Sequence, residues 1–312
     1  MRIAVVGTGG VGGGYGAALA KAGADVTFIA RGAHLAAMQR DGLRVESPRG
    51  DSHIEPAQAT DDPRTVGPVD IVLFCVKLWD VESAGAAIRP MVGPRTAVIP
   101  LQNGIDAPER LAALLGAPAV MGGVANISAT IAAPGVIRQT GTVMRMVFGE
   151  LPGNHKGSGT SERANAFAAL CRQAGIDGVA SPSILTDLWM KFILLASNAS
   201  LMALARLPVG RLRDDPDVAP WFTIAYEEVA AVGRAAGVAL PADAVERTLA
   251  FNRNAPAELM PSMAVDLLRG NRLELPWLSG KVVELGRRHG VPTPAHALMY
   301  AALKPYTMGP PA

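Results

Sequence analysis

The chain of 312 residues is long enough for about two domains of roughly 150 residues, each able to bury a sizeable core. Hydrophobic residues make up 49% and charged residues 18%, which excludes an intrinsically disordered chain; with aromatics at only 5%, the cores must be aliphatic. A formal net charge of +2 argues against nucleic-acid or membrane-surface partners, and two cysteines, Cys75 and Cys171, cannot build a disulfide framework, as suits a cytoplasmic protein.

In chain order, four short runs rich in β-branched residues and bounded by Gly, Pro or Asp read as strands buried on both faces, at 3–6, 26–30, 71–76 and 97–101. The stretches 15–22, 33–41 and 81–91 between them have helical length and composition. This alternation predicts a doubly wound parallel sheet. Residues 136–139 and 143–148, separated by Thr140-Gly141-Thr142, read as an antiparallel hairpin closing that sheet. A polar, Gly-rich loop is expected over 151–160, a helix over 161–174 and a last edge strand over 178–180. After Ser181-Pro182 the spacing turns helical, over 184–206, 219–236, 242–252, 262–269 and 276–289. The domains are therefore placed at 1–180 and 181–312.

Two apolar stretches invite comparison with a membrane span. The one between Arg2 and Lys21 carries seven glycines, and the one between Lys191 and Arg206 has only 14 residues, among them Ser197, Asn198 and Ser200. A span needs about 20 mainly apolar residues, so neither is expected to cross a membrane. The first also lacks the features of a signal peptide.

The first strand runs directly into Gly7-Thr8-Gly9-Gly10-Val11-Gly12, a G-x-G-x-x-G that opens a small-residue helix. In such a loop Gly7 permits the tight turn, Gly9 lets the backbone approach a pyrophosphate, and Gly12 allows close helix–strand contact. The pyrophosphate sits at the helix N-terminus, where orphan N–H groups and the dipole favour an anion. A ligand-free glycine turn is the plainer alternative, but the strand–loop–helix setting points to a dinucleotide. At the end of the second strand, Phe28-Ile29-Ala30-Arg31-Gly32 supplies no Asp or Glu for a ribose 2′-hydroxyl. Arg31 can instead fork onto a 2′-phosphate, so NADP is the expected cofactor.

A nicotinamide cofactor implies hydride transfer, which calls for a proton donor and a carbonyl-polarising group beyond the carboxyl ends of the strands. Lys77 and Gln102-Asn103-Gly104 lie at those positions. Lys191 places a cation within an otherwise apolar helix, and burial would lower its pKa towards that of a general acid. Asn198, seven residues on, shares its face. Ser262 and Asp266 are four apart on one helix, and Glu274 precedes the next, where a carboxylate ordinarily complements the dipole. His289 reads as a C-terminal helix cation before Gly290. With five His and neither H-E-x-x-H nor C-x-x-C, no metal site is predicted.

Taken in order, GTGGVG at 7–12, Ala30-Arg31, Val76-Lys77, Gln102-Asn103-Gly104, Trp189-Met190-Lys191-Phe192, Ser262-Met263 with Asp266 and Glu274, and the run from Leu285 to Pro294 resemble the ketopantoate reductases (2-dehydropantoate 2-reductases) over nearly the whole chain. The resemblance implies a Rossmann-type domain followed by a helical domain of the 6-phosphogluconate-dehydrogenase type, with the active site in the cleft between them. It implies Lys191 as proton donor, Asn103 in contact with substrate and cofactor, Ser262 on the substrate, and Glu274 supporting catalysis and the cofactor ribose. Arg31 and Lys77 would hold the 2′-phosphate end of NADPH. Three positions depart from the family: Leu195, Ala199 and Val209 stand where it keeps asparagines for the polar groups of ketopantoate, and Asn198 is the residue placed to substitute. The expected reaction is NADPH-dependent reduction of a 2-oxo acid, ketopantoate first. The rivals are a reductase of a more apolar 2-oxo acid and a non-catalytic NADPH-binding sensor. The Ala-rich second half is also suited to homodimer contacts.

Overall fold

Short aliphatic strands alternating with Ala- and Gly-rich helices build a parallel sheet first. In the computed structural model, which describes residues 1–155 and 159–311, the strands are β1 (Arg2–Val6), β2 (Asp25–Ile29), β5 (Ala59–Thr60), β6 (Val69–Phe74) and β7 (Val92–Pro100). Their order is β5-β2-β1-β6-β7, all parallel. Ile3–Val6 and Ile71–Phe74 are buried on both faces because helices cover both. The helices of this unit are α1 (Gly10–Lys21), α2 (Gly32–Asp41), α3 (Val81–Ala87), α4 (Ala107–Leu115) and α5 (Glu162–Gln173). The strand order reverses between β1 and β6, the switch point at which open α/β sheets bind ligands.

The expected hairpin is differently built. Val136–Glu150 is one continuous strand, β9, paired antiparallel with β8 (Met121–Ala133), so the turn is Pro134-Gly135. Thr140-Gly141-Thr142 lies inside β9, where the register jumps between the Ile127–Met144 and Ala129–Gln139 pairs and Gly141 takes φ +81°. A glycine between β-branched residues is therefore a bulge here and not a turn. The pair also belongs to a second sheet, ordered β10-β9-β3-β4, with β3 (Leu43–Glu46), β4 (Ser52–Ile54) and the expected edge strand β10 (Asp177–Ala180). Helix α1 packs on both sheets. A methyl group at Gly16 would strike Phe28 and Val5 of the first, and at Gly13 or Gly14 it would strike Ile137 or Ile127 of the second. Tyr15, fully buried, donates to the Arg145 carbonyl (2.7 Å) and accepts from the Asn126 N–H (3.1 Å).

The chain divides into two compact units, Met1–Gln102 with Asp106–Leu185, and Asn103–Ile105 with Thr186–Ala312. The three residues after Gln102 thus group with the second unit. That unit holds α6 (Ile184–Ala205), α7 (Val209–Arg213), α8 (Ala219–Ala235), α9 (Ala244–Asn254), α10 (Ser262–Leu268), α11 (Ser279–His289) and α12 (Pro294–Leu303). Helix α6 extends beyond the 14-residue apolar stretch that follows Lys191: it runs 22 residues, and among the described residues it is the one helix long and apolar enough to cross a membrane. Its most apolar 18-residue stretch has mean hydropathy 1.5 and is 61% buried, the pattern of a core helix. Helix α11 ends at His289 with Gly290 left-handed at φ +69°, as the glycine there predicts. Beneath these helices lies a buried polar cluster. Ser279 Oγ contacts His296 Nδ1 (2.9 Å) and Ser200 Oγ (2.6 Å), and Glu228 accepts from the Ala295 and His296 N–H groups (2.7 and 3.0 Å) at the start of α12. Burial holds His296 down to about 4, so it is neutral at physiological pH.

Candidate active site

In the first unit the glycine loop sits where the carboxyl ends of β1 and β6 meet. Gly7 has φ +90°, and a Cβ there would lie 2.8 Å from the Val76 nitrogen. Gly12 is pressed against the Gly7 carbonyl and the Val5 side chain. A Cβ on Gly9 would meet nothing within 4 Å, leaving its backbone open to a close-approaching group. Gly9 is the N-cap of α1, which has no side-chain cap and no acidic residue in its first turn. Its orphan N–H groups and dipole are therefore uncompensated by a cap side chain or by a carboxylate in its own first turn, which fits a pyrophosphate. Gly10 lies against the Ala129 backbone, and Val11 begins the partly buried face of α1. Thr8 is buried, and its N–H and hydroxyl both bond the Ile29 carbonyl (3.2 and 3.1 Å), pinning the loop to the end of β2.

Arg31, the N-cap of α2, carries a guanidinium that is 77% exposed and lies 3.6 Å from Asp80 Oδ2. Lys77 follows β6, exposed, with its ammonium 5.6 Å above the Trp79 ring. Both cations thus lie beside the loops that flank the switch point. Sequence reasoning did not single out Asp80, because nothing local connects it to Arg31. Gln102 was noted only as part of a motif. Its amide nitrogen donates to the Phe74 and Val76 carbonyls (2.9 and 3.0 Å), locking the chain one residue before Asn103.

In the second unit, Lys191 lies in the middle of α6, and its ammonium donates to Asn103 Oδ1 (3.3 Å). Burial lowers the Lys191 pKa to about 8, opposed by the nearby Glu274 carboxylate, which favours the charged form. Glu274 is 4% exposed and occupies the cap position of the short turn Leu275–Trp277, yet its side chain does not cap that turn. The carboxylate lies close enough to Lys191 to act on its charge. The structure therefore brings Lys191, Asn103 and Glu274 together. Ser262 is the exposed first residue of α10, and Asp266 accepts from the Asn271 side chain (3.1 Å).

Asn198 is not available to a substrate. It is 4% exposed, its Oδ1 accepts from the Tyr226 hydroxyl (2.5 Å), and its Nδ2 donates to Asn252 Oδ1 (3.0 Å). Helix spacing put it on the Lys191 face correctly, but α8 and α9 cover that end of the face. Of the three apolar replacements, Ala199 and Val209 are fully buried and only Leu195, one turn from Lys191, is partly exposed.

A parallel sheet with a G-x-G-x-x-G loop at its switch point, and a lysine–asparagine–glutamate cluster on a helical unit, define a nicotinamide-dependent oxidoreductase. The chain belongs to the ketopantoate reductase family. The family model "Ketopantoate reductase PanE/ApbA" matches residues 3–153 and its C-terminal counterpart matches 183–307. A 2-dehydropantoate 2-reductase of Caulobacter vibrioides is 32% identical over 96% of this chain and 97% of its own. The crystal structure of a PanE/ApbA family ketopantoate reductase from Ralstonia eutropha JMP134 is similar with a TM-score of 0.87 and 33% identity, covering 98% of both chains. That of a 2-dehydropantoate 2-reductase from Geobacter metallireducens GS-15 has a TM-score of 0.89 and 31% identity, covering 97% of this chain and 99% of the other. The reaction class is reduction of a 2-oxo acid.

Proposed function

We propose that this chain reduces ketopantoate with NADPH, and that Lys191 is the proton donor. The glycine loop Gly7–Gly12 would hold the dinucleotide, which when bound would supply the hydride for carbonyl reduction. As negative charge grows on the carbonyl oxygen, the Lys191 ammonium stabilises it and gives up a proton to the nascent alkoxide. A lysine held near about 8 is mostly protonated at neutral pH and still a far stronger acid than a free lysine. Asn103 fixes the ammonium through its Oδ1 and keeps its amide nitrogen for a substrate oxygen. Glu274 keeps Lys191 charged, and Ser262 offers a hydroxyl to the carboxylate end of the substrate. Arg31 and Lys77 take the 2′-phosphate. The observation that carries this reading is Lys191, part-buried in an apolar helix and bonded to Asn103 within range of Glu274.

A second reading keeps the chemistry and changes the substrate to a more apolar 2-oxo acid, and Leu195 favours it. A partly exposed leucine one turn from the donor supplies no hydrogen bond for a substrate hydroxyl, and such a site discriminates weakly in favour of one. NADPH oxidation measured with ketopantoate and with a panel of branched and apolar 2-oxo acids tests both readings. Lys191→Ala is expected to lower kcat by about 10²–10⁴-fold with every substrate of the panel. Turnover within a few-fold of wild type would remove Lys191 from the reaction. Which substrate has the higher kcat/KM decides between the two readings.

A further inference from the structure

At the end of β2, where Asp or Glu reads the ribose of a non-phosphorylated dinucleotide, the chain has Ala30-Arg31 and no carboxylate. The fold brings one from another loop. Asp80 closes the turn Leu78–Asp80 after β6, with its N–H bonded to the Lys77 carbonyl (2.9 Å) and its own carbonyl accepting from the Ser83 hydroxyl (3.1 Å). That turn carries Lys77 at its other end. The Asp80 carboxylate, partly buried at 31% side-chain exposure, meets the Arg31 guanidinium at 3.6 Å. No side-chain hydrogen bond from Asp80 caps α3, so the carboxylate is not spent on the helix it precedes.

We propose that Asp80 is a specificity-determining residue of the dinucleotide site: it competes with a ribose 2′-phosphate for Arg31 and tempers the preference for NADPH over NADH. This rests on the reading of Arg31 as the 2′-phosphate ligand. A phosphate that engages the guanidinium must displace or share Asp80, and it brings two negative charges towards a third. A ribose hydroxyl imposes no such conflict. It leaves the Arg31–Asp80 pair intact and can donate to the carboxylate, the role an acidic residue at the end of β2 otherwise fills. An exposed pair of this kind is weak and rearranges readily, so its own loss costs the phosphorylated dinucleotide little. The like-charge conflict is the larger effect, and it is felt only where the Arg31 guanidinium holds the phosphate beside Asp80.

Dissociation constants of NADPH and NADH, read from dihydronicotinamide fluorescence without substrate, test this in wild type, Asp80→Asn, Arg31→Ala and the double variant. Asp80→Asn is expected to tighten NADPH about tenfold while NADH is unchanged or weakened, so that the ratio of the two constants rises at least about tenfold. In the Arg31→Ala background the same substitution should move that ratio less than about threefold, because the competition runs through the guanidinium. A ratio within about twofold of wild type in Asp80→Asn, or a lowered one, overturns the proposal while leaving the dinucleotide site standing. A wild-type protein that binds neither dinucleotide overturns both.

Discussion

At Gly9 a Cβ would point into open space, whereas at Gly12 it would collide with the Gly7 carbonyl and Val5. The two positions of one motif therefore separate binding from folding. Gly9→Ala is expected to leave the melting temperature of the free protein unchanged and to weaken NADPH at least about tenfold, because the methyl group intrudes where the pyrophosphate approaches. Gly12→Ala should lower the melting temperature itself, since backbone and a β1 side chain cannot give way. Thermal melts with and without NADPH read both effects, and a Gly9→Ala protein that keeps wild-type affinity would deny the loop its task. Much of the candidate site is read at this scale because the motif residues are local: a strand, a glycine loop and an apolar helix with one lysine announce themselves. Asp80 was not legible, because its meeting with Arg31 depends on β1 standing between β2 and β6. Asn198 was misread for a related reason. Helical spacing gives the face a residue lies on, but not which neighbours cover it.

Helices α6, α8 and α9 are joined by the buried chain Tyr226–Asn198–Asn252, in which the Asn198 amide accepts from the Tyr226 hydroxyl and donates to Asn252 Oδ1. Asn198→Ala would strand the Tyr226 hydroxyl and the Asn252 carbonyl oxygen at once. At about 1–3 kcal/mol for each unsatisfied group, urea unfolding is expected to show a loss of roughly 2–6 kcal/mol. The KM for the 2-oxo acid should stay within about threefold, and a large rise in KM at unchanged stability would return Asn198 to the substrate. Element-scale reading succeeded for the buried parallel strands, whose continuous aliphatic runs leave little choice. It failed at β8 and β9. Pro134-Gly135 and Thr140-Gly141-Thr142 are both plausible turns, and only strand pairing across the bulge decides between them. The short strands β3, β4 and β5 gave no signal. With two to four residues each, they exist through pairing with strands distant in sequence or with each other, β3 on β9, β4 on β3 and β5 on β2.

The whole molecule carries a net charge of +2, yet its proposed chemistry depends on cations placed one at a time, at Arg31 and Lys77 in the first unit and at Lys191 in the second. The balance of charge spoke only to partners that read a broad field, and it was silent about a dinucleotide or an oxoacid bound by single groups. The pH dependence of kcat/KM for 2-oxo acid reduction tests the central claim most directly, in wild type and in Glu274→Gln. A donor must be protonated, so the rate should be flat below about 8 and fall as pH rises through it. Removing the Glu274 charge takes away the influence that raises the Lys191 pKa, so the descending limb should move to lower pH. An alkaline limb that stays in place in Glu274→Gln, or a wild-type rate that does not fall between about pH 7 and 10, would contradict Lys191 as the acid.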